Sequence, residues 1–272
     1  MRYLASFLLI ITTTLCTGQT VLLLDSISLK PIYNVRVYYD KIVYYSDKEG
    51  QVTIENFNGK NAYVIHPSYQ SKEIRSKDTV LLKPAHFILP ELEIFANNKP
   101  EILINKRNRH WRLERCGMMS GSIYGVSIDL NQRLLIKEAR IYFKNSLKER
   151  IYCRLFIFNT ADTLSQKPTP IFGASKFDTI PKDTKKYILD IANFPLNNSL
   201  DTNYLIAVEF KFDKSLWEES WPSLELWETS ILNFYFFSPN STLILKKNYF
   251  SELAPKMPLT TVGIEVIATK LD

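Results

Sequence analysis

Histidine is scarce in this chain, with only His66, His86 and His110 among 272 residues. None has a second histidine or a cysteine at metal-ligand spacing, which argues against a zinc centre. Glycine is also low at 8, so many turns must rest on Asn, Asp, Ser and Pro. The Gly-rich phosphate loop, the dinucleotide fingerprint and the Gly-x-Ser-x-Gly elbow are all missing. Gly117-Met118-Met119-Ser120-Gly121 has a serine near glycines at the wrong spacing. Strong helical periodicity is absent, and after the N-terminus no segment approaches the ~20 apolar residues of a membrane-spanning helix. These absences leave no catalytic residue, metal ligand or cofactor motif to nominate. Paired carboxylates converging from distant strands are the arrangement left open, with Glu218, Glu219, Glu225 and Glu228 as the pool. An acid-rich loop is ordinarily a solvated loop, and the chain reads as a non-enzyme.

What is present is globular and β-rich. Hydrophobic residues make up 46% and charged residues 23%, a balance that is neither disordered nor membrane-embedded. Aromatics reach 13%, mostly Tyr and Phe, which favour half-buried pleated surfaces. The length suits two domains, each with its own core. The net charge of +6 arises from 34 basic residues scattered among 28 acidic ones. It reads mainly as solvated surface, and export disfavours nucleic acid as a partner.

The N-terminus carries the pattern of a secretory signal peptide over residues 1–18. Arg2 supplies positive charge, Tyr3 to Ile11 is an unbroken apolar run, and Cys16-Thr17-Gly18 brings small residues. Cleavage after Gly18 leaves Gln19 as the first mature residue. Cys16 also offers a lipid-attachment site, although Leu15 stands where a small residue is usual. The expected location is periplasmic, outer-membrane-associated or secreted, with no transmembrane segment in the mature chain. Cys116 and Cys153 then remain, either as a disulfide or as two small buried apolar residues.

Period-two alternation recurs along the chain. Tyr33, Val35, Val37 and Tyr39 share one face, with Asn34 and Arg36 opposite. Short runs follow at Gln51–Glu55, Ala62–His66, Thr79–Lys83 and Leu92–Ala96. Between Asn97 and Arg115 the pattern lapses, placing a basic linker over 98–117 between a first domain at 19–97 and a second at 118–272. In the second, Tyr124, Val126 and Ile128 share a face, as do Ala139, Ile141 and Phe143. Ile151, Cys153, Leu155 and Ile157 follow, then Tyr204 to Phe212 and Val262 to Ala268. Most runs are five to seven residues, short of the about 9–11 that an outer-membrane barrel needs. The expected fold class is all-β, with one small and one larger sandwich.

Several ordered elements of the first region carry a family resemblance. Val21-Leu22-Leu23-Leu24 runs into Asp25-Ser26, and Lys30-Pro31-Ile32 precedes the strand Asn34–Tyr39. Ser46-Asp47-Lys48-Glu49-Gly50 looks like a Thr-Asp-x-x-Gly turn, in which Asp bonds its own downstream backbone and Gly accepts positive φ. Val80-Leu81-Leu82-Lys83-Pro84 and Leu92-Glu93-Ile94-Phe95 look like closing strands. In these elements the region resembles the carboxypeptidase regulatory-like domain of exported Bacteroidetes proteins. Pro67-Ser68-Tyr69 stands where that family usually has Gly-Tyr. The resemblance implies a transthyretin-like β-sandwich that serves as a folding or docking module without catalytic residues. The second region looks like a jelly-roll sandwich, on strand rhythm and Tyr204-Leu205-Ile206-Ala207-Val208-Glu209-Phe210.

Two stretches stand out as candidate surfaces. Lys106, Arg107, Arg109, Arg112 and Arg115 surround Trp111, a set that suits an anionic headgroup or polysaccharide or, more plainly, a charged connection. Leu216-Trp217-Glu218-Glu219-Ser220-Trp221-Pro222-Ser223-Leu224-Glu225-Leu226-Trp227 holds three of the four tryptophans. Indole faces stack on sugar rings while Glu218 and Glu219 accept hydroxyl hydrogen bonds, so Trp217, Trp221 and Trp227 could form a glycan platform. The plainer reading has them capping the sandwich core. The expected partner is an envelope protein or a glycan; nothing in the sequence reports oligomeric state.

Overall fold

A computed structural model describes residues 18–40, 42–57, 61–75, 79–85, 100–105, 115–118, 120–128, 133–159, 170–174, 176–196, 204–212, 222–228, 234–237, 246–247 and 260–271. All regular structure among them is β, with no helix. The chain divides into two compact units, Met1–Ala85 and His86–Asp272.

The first unit has seven strands: β1 (Gln19–Asp25), β2 (Arg36–Tyr39), β3 (Ile42–Tyr45), β4 (Gln51–Ile54), β5 (Ala62–His66), β6 (Tyr69–Ile74) and β7 (Thr79–Leu82). They form a three-stranded sheet, β4-β1-β7, and a four-stranded sheet, β3-β2-β5-β6. β1 pairs antiparallel with β4 but parallel with β7, Leu22 opposite Thr79 and Asp25 opposite Leu82. Alternation sends Val21 and Leu23 inward, where they meet Val35, Val37, Val52, Ile54, Val64 and Val80 in one apolar cluster. The sequence put Tyr33 on one face with Val35, Val37 and Tyr39, and Arg36 on the opposite one. Tyr33 is exposed in the turn before β2 while the other three are buried, and Arg36 is buried too.

The turn between β3 and β4 follows the chemistry anticipated for it. Asp47 Oδ1 accepts the Gln51 N–H at 2.8 Å. Gly50 takes φ +73° and lies so close to β1 that a Cβ there would sit 2.6 Å from the Leu23 carbonyl oxygen. Ser46 is buried; its Oγ accepts the Val35 N–H at 2.9 Å and donates to the Ile32 carbonyl at 2.7 Å. One hydroxyl thereby satisfies two backbone groups of the β1–β2 connection.

The second unit contains β8 (Glu101–Ile104), β9 (Arg115–Gly117), β10 (Ile123–Ile128), β11 (Arg133–Tyr142), β12 (Ile151–Asn159), β13 (Pro170–Gly173) and β14 (Asp178–Ile180). It continues with β15 (Lys186–Leu196), β16 (Tyr204–Lys211), β17 (Ser223–Glu228), β18 (Phe234–Phe237), β19 (Lys246–Lys247), β20 (Thr260–Val262) and β21 (Ile264–Leu271). One sheet runs β13-β12-β16-β10-β18-β19, with β14 also on β12; the others run β15-β11-β21-β8 and β20-β17-β9. β11, β12 and β15 have 10, 9 and 11 residues, longer than the sequence runs suggest, and the sheet paths are open.

The main core of this unit lies where Tyr124, Val126, Cys153, Leu155, Ile206 and Val208 meet Leu134, Ile136, Ala139, Ile141, Val266 and Ala268. β11 changes inward parity midway, from Leu134 and Ile136 to Ala139 and Ile141, because a bulge interrupts its register between Ile136 and Glu138. The stretch expected as a linker departs from the sequence reading. β8 joins the edge of the four-stranded sheet through Val266 opposite Ile104, and β9 pairs with β17. Strands of four and three residues are too short to display a period, so they read as a lapse.

Candidate functional site

The most constructed polar feature lies on the second face of the seven-stranded sheet. While Cys153, Leu155 and Ile157 of β12 enter the main core, Arg154, Phe156 and Phe158 point the other way. Neighbouring strands add Leu205, Ala207 and Glu209 from β16, and Ile123 and Gly125 from β10. These residues are buried as well, so the central strands β12, β16 and β10 are covered on both faces. Gly125 lies opposite Ala207, and a Cβ there would come within 2.8 Å of both the Ala207 Cβ and Leu205 Cδ1. Glycine is required by close packing at this point.

Arg154 and Glu209 are direct cross-strand partners. Arg154 Nε donates to Glu209 Oε2 at 2.5 Å, and neither side chain has measurable exposure. The guanidinium lies 5.1 Å from the Phe156 ring centroid and 4.5 Å from that of Phe177. Lys211 Nζ approaches Phe177 as well, at 5.4 Å. Burial, with a smaller push from Arg154, holds the Lys211 ammonium below its ordinary range, and Glu209 opposes that shift. Planar, delocalised and weakly hydrated, a guanidinium suits such a dry aromatic setting better than an ammonium would. Arginine does not surrender its proton in proteins, so this pair fixes register rather than moving protons. The sequence reading missed it. Its signal was a charged residue inside each of two apolar runs, Cys153-Arg154-Leu155 and Val208-Glu209-Phe210.

Cys153 projects to the opposite face. It is a free thiol, buried in the core. Burial, assisted by Asp178, pushes its ionisation far above the usual thiol range. Such a thiol is inert as a nucleophile. Cys116 itself lies on β9 with its backbone opposite Leu224.

In the first unit the densest polar arrangement gathers on Asp25, at the end of β1. Its Oδ1 accepts the N–H groups of Ile27 at 2.8 Å and Ser28 at 2.7 Å, and its Oδ2 accepts the Tyr69 hydroxyl at 2.9 Å. The Ser28 and Ile27 bonds hold the Asp25 carboxyl below its ordinary value. Burial and then Asp25 raise Tyr69 to about 12. His66 is buried beside it, accepting the Ser68 N–H on Nδ1 at 3.1 Å, with its ring 5.1 Å from Tyr69. Its place is that of a satisfied core histidine. Between β6 and β7 a crevice of about 450 Å³ opens, lined in part by Lys72, Ile74, Arg75 and Leu81. Lys72 Nζ spans it to the Leu81 carbonyl oxygen at 2.9 Å.

Of the tryptophan–acid segment, Trp217, Glu218, Glu219 and Trp221 lie outside the described residues. Trp227 is on β17, its backbone opposite Thr261 of β20. Glu225 is on the same strand, buried and opposite Arg115. Residues 106–114 of the basic run, His86, His110 and the strand expected at Leu92–Ala96 also fall outside the described residues. Among the described residues, no group of three or more His, Cys, Asp or Glu is placed to hold a metal ion. No helix among them is long and apolar enough to cross a membrane.

No family model matches the chain, and no curated protein matches it. Among solved structures, it is similar to the cysteine protease and lectin-like domains of Cwp84, a surface layer associated protein of Clostridium difficile. The TM-score is 0.39 at 10% identity, covering 56% of this chain and 33% of that one. The clostridial cysteine protease Cwp84 after propeptide cleavage gives a TM-score of 0.43 at 8% identity, over 84% of this chain and 51% of the other. The infectious bursal disease virus Gx strain structure gives 0.26 at 8% identity, over 87% and 57%. The chain thus spans a third to just over half of the length of these chains. At TM-scores this low the likenesses carry no argument about its role.

Proposed function

We propose that the chain is an exported, non-catalytic interaction protein of the cell envelope, a transthyretin-like module followed by a jelly-roll-like sandwich. The observation that carries this reading is how three buried polar side chains, Arg154, Ser46 and His66, are engaged. Arg154 is held by Glu209, Ser46 by two backbone groups, and His66 by the Ser68 amide. Each of these contacts secures a strand or a connection, as expected of a scaffold whose activity is recognition. Seven strands in a three-stranded and a four-stranded sheet support the transthyretin-like reading of the first unit. The apolar run Tyr3–Ile11 before Cys16-Thr17-Gly18 supports export.

A second reading, glycan binding, rests on the clustering of Trp217, Trp221 and Trp227 with Glu218 and Glu219. Expression of the full chain in a Gram-negative host, followed by fractionation and intact mass, tests export: the expected product begins at Gln19 outside the cytoplasm. A product retained inside with residues 1–18 attached would overturn it. The exported protein is then taken to a glycan array and to a cross-linking pull-down from envelope extract. Array binding lost in Trp217→Ala and Trp221→Ala selects the glycan reading. Turnover of a glycan or peptide panel would overturn the non-catalytic one.

A further inference from the structure

We infer that the β1–β2 connection of the first unit is a preformed tip that docks on an anionic lipid surface, inserting Ile27 and Leu29 between headgroups that Lys30 and Lys83 contact. The four exposed residues Ile27 to Lys30 hold the most exposed aliphatic side chains among the described residues, Ile27 at 74% and Leu29 at 61%. Soluble surfaces often show single apolar residues, but two at one apex form a local feature that water disfavours.

The apex is not slack chain. Leu29 has φ 55°, a left-handed backbone that a branched side chain adopts at a cost. It is kept there by Asp25, whose carboxylate takes the Ile27 and Ser28 amides, and by two backbone bonds. These run from Leu29 N–H to the Asp25 carbonyl at 3.0 Å and from Asp25 N–H to the Lys30 carbonyl at 2.9 Å. Tyr69 anchors the same carboxylate from β6. The fold therefore over-determines a conformation whose outward product is two aliphatic side chains in water. Ordering already complete before contact lowers the entropy lost on docking.

Charge selects the occupant. From Ser26 to Val35 the connection contains no acid, and its one charged residue, Lys30, is exposed. Lys83 is exposed too, and follows Leu82, whose carbonyl takes the Ser26 N–H at 2.9 Å, so a second cation flanks the tip. Asp25, the nearest acid along the chain, is turned back on the turn's own amides. Asp47 and Glu49 are exposed with Lys48 between them on the β3–β4 turn, whose Gly50 lies against Pro31 at the far side of the connection from Ile27 and Leu29. Tyr33, 47% exposed at the far end of the connection, is an amphipathic ring of the kind that sits at headgroup depth. Apolar surface also continues down the sheet, where half-buried Leu24 lies opposite exposed Leu81 and is bridged to Pro31. An aliphatic apex with flanking cations and an interfacial aromatic matches a leaflet boundary better than a protein pocket, which would supply acids or acceptors at defined points.

Lipid docking at this tip stands apart from the export reading, because vesicle binding in vitro needs no signal peptide. The test is hydrogen exchange of the full chain with and without phosphatidylcholine–phosphatidylglycerol vesicles, read on residues 26–31. Reading that segment alone separates the tip from any lipid affinity of residues 1–18. The expected result is protection of 26–31 by the anionic vesicles and not by phosphatidylcholine alone. Ile27→Ser/Leu29→Ser should remove the protection and lower its apparent affinity by at least about tenfold. Lys30→Gln/Lys83→Gln should lower it by about tenfold and abolish the preference for anionic lipid. Absence of protection in the wild-type chain overturns the inference without recourse to any variant. So does protection that survives the Ile27/Leu29 change in a variant with unaltered melting, or protection of 26–31 by a soluble envelope protein in the absence of lipid.

Discussion

Arg154 on β12 and Glu209 on β16 face each other across one ladder position, both fully enclosed, beneath a sheet whose other face already forms the main core. Buried pairs of this kind contribute little net stability, yet removing one partner strands the other in a medium that cannot solvate it. Arg154→Leu should therefore cost about 3–5 kcal/mol by urea denaturation, and Arg154→Leu/Glu209→Leu should recover much of that loss. Additive losses in the double variant would contradict the pairing.

Gly50→Ala tests the β3–β4 turn. The positive φ disfavours a side chain, and the new methyl would meet the Leu23 carbonyl oxygen at 2.6 Å. The backbone cannot yield there without parting β1 from the turn, since Leu23 N–H bonds the Gly50 carbonyl at 2.8 Å. A loss of about 2 kcal/mol or more is expected by chemical denaturation. A change within about 0.5 kcal/mol would show that the turn is looser than described.

Cys153 should be silent to thiol reagents in the native protein and react only on unfolding. Because its folded ionisation lies above the ordinary thiol value of 9.0, the protonated thiol favours the fold below that pH. The stabilisation fades as alkaline pH ionises the unfolded chain first. Mass-spectrometric mapping after iodoacetamide treatment, with and without denaturant, reads this directly. Native labelling at Cys153, or a Cys116–Cys153 peptide under non-reducing conditions, would contradict it.

Asp25 gives the lipid tip an acid sensitivity. Its carboxyl is held below 3.8, first by the Ser28 amide and then by that of Ile27. The restraint is complete above the unfolded value and is lost as pH falls through the lower folded one. Titrating the Ile27 and Ser28 amide resonances should give a midpoint below 3.8. In Asp25→Ala the same two amides should exchange faster at neutral pH and Tyr69 should lose its carboxylate partner, while the amides of the β2–β5 ladder stay protected.

Strands with one wet face were legible in the sequence. Gln51–Ile54 alternates exposed and buried as its residues suggest. Ala62–His66 has the limits expected of it, although it is buried on both faces. β6 was not legible, because Tyr-Gln-Ser-Lys-Glu-Ile on an edge strand carries too little apolar content to separate from a loop. Nor was the parity change in β11, since a bulge is a backbone event that leaves the composition on either side unchanged. The second buried face of the large sheet was hidden for another reason. Arg154 and Glu209 look like the solvent-facing members of an alternating pattern until they are seen to neutralise each other. On the candidate surface, the sequence drew attention to indoles and passed over Ile27 and Leu29, whose significance lies in their exposure, which no residue type announces.

The parallel pairing of β1 with β7 has a consequence for how the first unit comes into being. Its earliest and latest strands are sheet neighbours, Leu22 beside Thr79, while β1 also needs β4 on its other side. A chain emerging N-terminus first exposes Val21 and Leu23 long before the strand that flanks them arrives. Local hairpins such as β2–β3 can form early, but the three-stranded sheet must wait for the last of its members. Until then β1 has an open edge, an apolar ribbon able to pair with a wrong strand. Slow delivery of the later strands would leave that edge bare for longer, so the residues Val21–Leu24, rather than the finished fold, are where misassembly of the first unit would begin.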